Sequence, residues 1–225
     1  MGGLRFSTDQ ITSEIQGMAD LAEVFLSGQH SQSLRRAGHD LKNALRSGGI
    51  WQIPRHNPLE TVESEEAGSL FGRLSFQWEV RPVKTHRFFH VGNASTTIEI
   101  HGLSSSGPLV SWNTDIGGPS HPGYRFHSQI VSNGNSLAVP RLPSILVTPT
   151  DCLDFLLGEL FQKKWEKHQV KEQGRTAGWT QGVRKRICHL LHWKAERAAQ
   201  SRGMTPWMTL KAWNFEDPEL TLDNE

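Results

Sequence analysis

A chain of 225 residues with 36% hydrophobic side chains, including eight Trp and ten Phe, holds enough apolar material for one large folded core. Its 24 basic and 23 acidic residues nearly cancel, its two cysteines cannot build a disulfide framework, and no apolar run approaches the roughly 18 residues of a membrane helix. A disulfide-stapled miniprotein and a helical membrane protein are thereby excluded. The first six residues also lack the apolar stretch of a secretory signal, so a reduced, cytoplasmic protein is expected.

The first element is expected at Ser7-Thr8-Asp9, where a capping hydroxyl precedes an acid near the positive end of a helix dipole. Ile11, Ile15, Met18, Ala22 and Phe25 then recur at helical spacing, and Gly28 suits a left-handed stop. A second helix from Ser31 places Leu34, Leu41 and Leu45 on one face and ends at Gly48-Gly49. Together they read as an antiparallel helical hairpin over residues 1–49. Residues 50–67, with Pro54, Pro58 and four glutamates, read as a linker or wrapped loop.

From Leu70 the hydrophobic period becomes two: Leu74, Phe76, Trp78 and Val80 alternate with Ser75, Gln77 and Glu79. Similar runs at 84–91, 96–101, 109–112 and 124–131 predict an antiparallel sheet of about five strands. Helix returns at Thr148-Pro149-Thr150-Asp151, where Thr148 caps, Pro149 takes the first helical position and Asp151 supplies the acid of a capping box. Leu153, Leu156, Leu157, Leu160, Phe161 and Trp165 make this the most apolar helix, expected to lie across the sheet. A last helix near 179–200 carries a stripe of Val183, Ile187, Leu190 and Lys194. The expected fold class is α+β. It divides into the hairpin at 1–49, the sheet with its capping helix at 68–169, and a basic helix with an acidic aromatic tail at 170–225.

Charge is segregated along this order. Between Lys163 and Arg202 stand eleven basic residues and three acids, a surplus of eight positive charges in a nearly neutral chain. Clustered cations attract polyanions whatever the net charge of the whole. Arg175, Arg184, Lys185, Arg186, Lys194 and Arg197 are the candidate nucleic-acid contacts, with Trp179 and Trp193 available to stack on unpaired bases. On a helix Arg186 and Arg197 share a face, whereas Arg184 and Lys185 do not, so the charge wraps around the helix instead of forming one stripe. The same surface would also suit an acidic protein partner or a place in a larger complex. The tail from Met204, with one Lys against five acids, could instead fold back and shield it.

The polar side of the sheet carries the competing expectation. Gln77 and Glu79, then Glu99 and His101, then Arg125, His127 and Gln129 each share a strand face. If those faces coincide, His101 and His127 become an acid–base pair. Arg125 would then serve as a phosphoryl ligand, with Glu99 beside them, as in a small nuclease or hydrolase. The plainer reading is the ordinary solvent face of a half-covered sheet. His86 and His90, four residues apart on a strand, are about 13 Å from each other and cannot chelate together. Cys188 and His192 lie one helical turn apart, but a structural zinc needs about four ligands, so Cys188 is expected as a small core residue. Asp115 to Gly123 brings an acid, a serine and a histidine into a Gly/Pro-rich loop, for which a rigid turn is sufficient reason. The chain has no Walker A loop, Gly-x-Gly-x-x-Gly, His-Glu-x-x-His or Gly-x-Ser-x-Gly motif, so no cofactor is implied. The leading expectation is a non-catalytic subunit or adaptor that uses its basic C-terminal helices.

Overall fold

The computed structural model describes residues 4–83, 87–117, 124–132, 135–200 and 203–210. They form a mixed α and β structure in which helices cover one face of a single antiparallel sheet of eight strands. The chain opens with a short strand, β1 (Leu4–Ser7), which delivers Phe6 to the core between Trp78 and Phe89. Ser7 then caps α1 (Thr8–Leu21), its hydroxyl accepting from the Gln10 amide at 3.2 Å. Ile11, Ile15, Met18 and Ala22 are buried at the expected spacing. The helix stops at Leu21 rather than running to Gly28. Phe25 and Leu26 still pack inward from the following turns, since Leu26 bridges to Thr61.

The second helix, α2 (His30–Ser47), buries Leu34, Leu41 and Leu45 and ends on Gly48 in the left-handed conformation, φ 61°. Gly38 of α2 faces Ile15 of α1, while Arg35 pairs with Asp20, so the two helices run antiparallel. The region expected as a linker contains two strands, β2 (Ile50–Ile53) and β3 (Leu59–Glu60), both paired with the edge of β4 (Leu70–Pro82). Their brevity and the intervening prolines hid them. Trp51 of β2 nevertheless anchors the sheet to α2, donating its indole N–H to the Ala37 carbonyl at 2.8 Å.

Two expected strands are one. β5 (Phe88–Gly102) runs unbroken through Gly92-Asn93, which form a bulge opposite Glu79 instead of a turn. After β6 (Val110–Ile116) and β7 (Phe126–Ser132), an unanticipated β8 (Asn135–Pro143) closes the sheet edge. Its prolines spoil the strand pattern, and an edge position tolerates them. The order is β2-β4-β5-β6-β7-β8, with β1 beside the start of β5.

α3 (Pro149–Lys171) begins with the full capping box between Thr148 and Asp151. Leu156 and Leu160 lie directly over Gly72 of β4. At Gln162 (φ 36°, ψ −105°) the helix breaks, and the Ser64 hydroxyl takes the Leu160 carbonyl beside the break. The second half turns back, because Trp165 and Gln169 both donate to the Asp154 carboxylate, at 2.8 and 2.7 Å. α4 (Gln173–Ala199) packs on α1, and the single turn α5 (Pro206–Thr209) follows it. One continuous apolar cluster joins α1, α2, α3, α4 and the inner sheet face. Among the described residues no helix is long and apolar enough to cross a membrane. His86 and residues 211–225, most of the acidic tail, lie outside the described residues.

Candidate ligand groove on the second face of the sheet

Alternation sends Leu74, Phe76, Trp78 and Val80 of β4 toward the helices, and therefore Ser75, Gln77 and Glu79 to the other side. The register carries this second face across the sheet in rows. Gln77 pairs with Ser95, Ser95 with Asp115 and Asp115 with His127. One row away, Ser75, Thr97, Asn113, Gln129 and Arg141 align in the same way. The expected coincidence of polar faces is thus present. It is not an ordinary solvent face, because Ser75, Thr97, His101, Ser111, His127 and Gln129 are all buried.

A groove of about 640 Å³ runs over this face, within the roughly 300–1,000 Å³ of small-molecule sites. Its floor is the two rows from β4 to β6, and its side wall is the Pro54–Asn57 turn after β2, closed by the Asn57 amide on the Pro54 carbonyl at 3.0 Å. That turn presents Arg55 and His56. The Arg55 guanidinium donates to the Thr97 hydroxyl at 2.8 Å, and Thr97 in turn donates to the Asn113 side-chain carbonyl at 2.8 Å. At the other end the bulge brings Glu79 and Asn93 together, the Asn93 amide donating to the carboxylate at 3.2 Å.

Between these ends stands Asp115, backed by the fully buried His127, whose Nε2 lies 3.4 Å from Oδ2 of the carboxylate. His127 Nδ1 is 2.8 Å from the Tyr124 carbonyl oxygen. A carbonyl only accepts, so Nδ1 is the donor of that bond. The other oxygen of Asp115, Oδ1, is buried and accepts no hydrogen bond among the described residues.

The expected acid–base quartet divides into separate pairs. Glu99 meets His101, Oε2 to Nε2 at 3.1 Å, and the imidazole stacks on Phe71. His101 lies six residues along β5 from Ser95, which occupies the row of His127, so the two imidazoles are about 20 Å apart. Acid–base work shared by His101 and His127 at one centre is excluded by that separation. Arg125 is buried and donates to the Gly117 carbonyl, while its own amide donates to Leu210 at 3.3 Å. His127 lies beside Asp115 instead, which belongs to a strand and not to the loop expected from 115 to 123. The register that joins them crosses a β6–β7 connection and left no local signal. Arg55 and His56, inside the expected linker, were likewise missed. Among the described residues no group of three or more His, Cys, Asp or Glu is placed to hold a metal ion.

The basic candidates also separate. Arg186 has no exposed surface and is held by Glu14 at 2.6 Å and Asp151 at 2.8 Å, so it is a core residue and no part of a contact surface. Its position three residues after Val183 and four before Leu190, on the inward stripe of α4, was the available clue. Lys194 is half-buried, donating to the Ser144 carbonyl beside the Phe126 ring, and burial lowers its ammonium to about 8. Trp179 packs against Gly17 and Trp193 edge-on against Phe126, so both indoles are committed to packing. Arg197 is half-buried, whereas Arg175, Arg184 and Lys185 are exposed, Arg175 pairing with Glu172 at 3.2 Å. Cys188 is exposed, contrary to its expected place in the core, and neighbouring His192 pairs with Glu196 at 3.2 Å. Cys152 is the buried cysteine, and burial pushes its thiol up, which removes it from nucleophilic chemistry. Comparison with family models, with curated proteins and with solved structures found no match to any of them.

Proposed function

We propose that this protein binds a small polar ligand in the groove on the second face of its sheet. The observation that carries the reading is the convergence, on one groove of about 640 Å³, of the Arg55–Thr97–Asn113 hydrogen-bond chain and the Glu79 and Asp115 side chains. Convergent polar groups around a preformed concavity are the usual architecture of a small-molecule site. The separation of His101 from His127 argues against the nuclease or hydrolase expectation built on that pair. The reading is therefore binding without turnover.

The test uses saturation-transfer NMR of the full chain against a mixture of small carboxylates, amines, amino acids and sugars. The wild type is expected to bind at least one component. Ser95→Phe, which places a ring on the groove floor at a position where strand propensity favours it, should lose that binding while keeping its fold. No binder for the wild type, or equal binding by the filled variant, overturns the proposal.

A second reading keeps the basic helices. Lys163, Lys164, Lys167 and Lys171 are all exposed on the second half of α3, and Lys163, Lys167 and Lys171 recur at intervals of four on one side of it. Such a row favours contact with a polyanion, and with nucleic acid in particular. It transfers that expectation from α4, whose central arginine is buried, to the neighbouring half of α3.

A further inference from the structure

The charged groups of the groove are arranged by sign. Arg55 sits over the row of Ser75, Thr97 and Asn113. Asp115 belongs to the next row, with Gln77 and Ser95, and Glu79 to the row after that, where the bulge fixes it against Asn93. Rows on one face are two residues apart, about 6.6 Å along a strand. The cationic end is thus separated from the two carboxylates by about 7 to 13 Å. Among the described residues Arg55 and Glu79 form no ion pair, and Arg55 spends one N–H on a neutral hydroxyl. Opposite charges are therefore held in one groove at a spacing that stops them neutralising each other, and each end still has hydrogen-bonding capacity to offer.

We propose that the groove selects zwitterions: small molecules with an anionic group for Arg55 and an ammonium group for Glu79 and Asp115, about 7 to 13 Å apart. The inference rests on the groove being the ligand site. It adds the charge pattern of the ligand. A monoanion gains the Arg55 end but brings an acceptor toward two carboxylates, and a monocation meets the opposite conflict. Only a molecule carrying both signs satisfies the groove along its length.

The test is a titration of the full chain with ω-amino carboxylates from glycine through 6-aminohexanoate and 8-aminooctanoate to 11-aminoundecanoate. Their extended charge separations run from about 3 to about 14 Å. Hexanoate, hexylamine and hexanol serve as charge controls. Affinity is expected to rise as the separation enters the 7–13 Å window and to exceed that of either singly charged control by about two- to fivefold per charge, the range of solvent-accessible ion pairs. Arg55→Gln should remove the advantage of 6-aminohexanoate over hexylamine. Glu79→Gln should reduce its advantage over hexanoate. Both positions are exposed, so folding is preserved. Binding that ignores charge separation, or that favours a singly charged or neutral control, overturns the zwitterion inference and leaves the groove reading standing. If none of the probes binds the wild type, the inference falls; if in addition the broader mixture shows no binder, the groove reading falls with it.

Discussion

Two carboxylates, Glu14 from α1 and Asp151 from α3, converge on the single guanidinium of Arg186 from α4, with the Thr148 hydroxyl accepting from it at 3.2 Å. All three charged groups are buried, so the cluster ties three helices together in the interior. Burial opposes the charge on Arg186, but Asp151 and Glu14 outweigh it and hold the guanidinium protonated. One positive charge cannot balance two negative ones. The excess shows at Glu14, where burial raises the carboxyl above its ordinary range despite Arg186, and Asp151 pushes the same way. Removing the cation leaves two carboxylates facing each other in the core. Arg186→Met is expected to cost about 3–5 kcal/mol at neutral pH, measured by urea unfolding. In that variant the folded-state carboxyls bind protons more tightly than in the unfolded chain, so stability is lost as pH rises through their folded values. The deficit should therefore shrink at about pH 4. A surface role for Arg186 would instead leave the unfolding midpoint unchanged at both pH values.

At the scale of elements, local chemistry was legible wherever one element carries its own signal. The Ser7 cap, the Gly48 stop and the Thr148–Asp151 capping box are all found where the residue order placed them. The long strands and the Leu-rich helix follow from their hydrophobic periods. What escaped was short or interrupted. β2, β3 and β8 are too brief or too rich in proline to show a period, and the Gly92-Asn93 break in β5 turned out to be a bulge. The kink at Gln162 also left no mark, because its stabilisers, Ser64 and Asp154, are remote in sequence or across the turn. The seat of α3 on the sheet gives a sharp test. A Cβ on Gly72 would meet Leu156 and Leu160 side-chain carbons at 2.8 Å, so Gly72→Ala should push those side chains out of their present packing. The expected cost is about 1–3 kcal/mol of overpacking, and Leu156→Ala in the same chain should recover part of it by making room. A double variant no better than the simple sum of both losses would show that Gly72 does not set this contact.

For the whole molecule, folding redistributes the charge that the chain concentrates between Lys163 and Arg202. Arg186 goes to the core, Lys194 and Arg197 are half-buried, and the exposed basic groups among the described residues split between the second half of α3 and α4. If the α3 row contacts nucleic acid, anisotropy titrations with a single-stranded RNA should show affinity falling with salt, at a slope of about −0.7 per phosphate engaged. Changing Lys163, Lys164, Lys167 and Lys171 together to Gln should flatten that slope, whereas Arg184→Gln with Lys185→Gln should affect it less. No binding at low salt, or a slope indifferent to the α3 lysines, removes this second reading. By itself the sequence determined the α and antiparallel β composition, the caps, the apolar faces and the segregation of charge, since each depends on neighbours within about a dozen residues. Only the tertiary structure decided which polar residues meet. Asp115 reaches His127, Arg55 reaches Thr97 and Arg186 reaches Glu14 through strand register and helix packing, and those pairings depend on residues far apart in the chain.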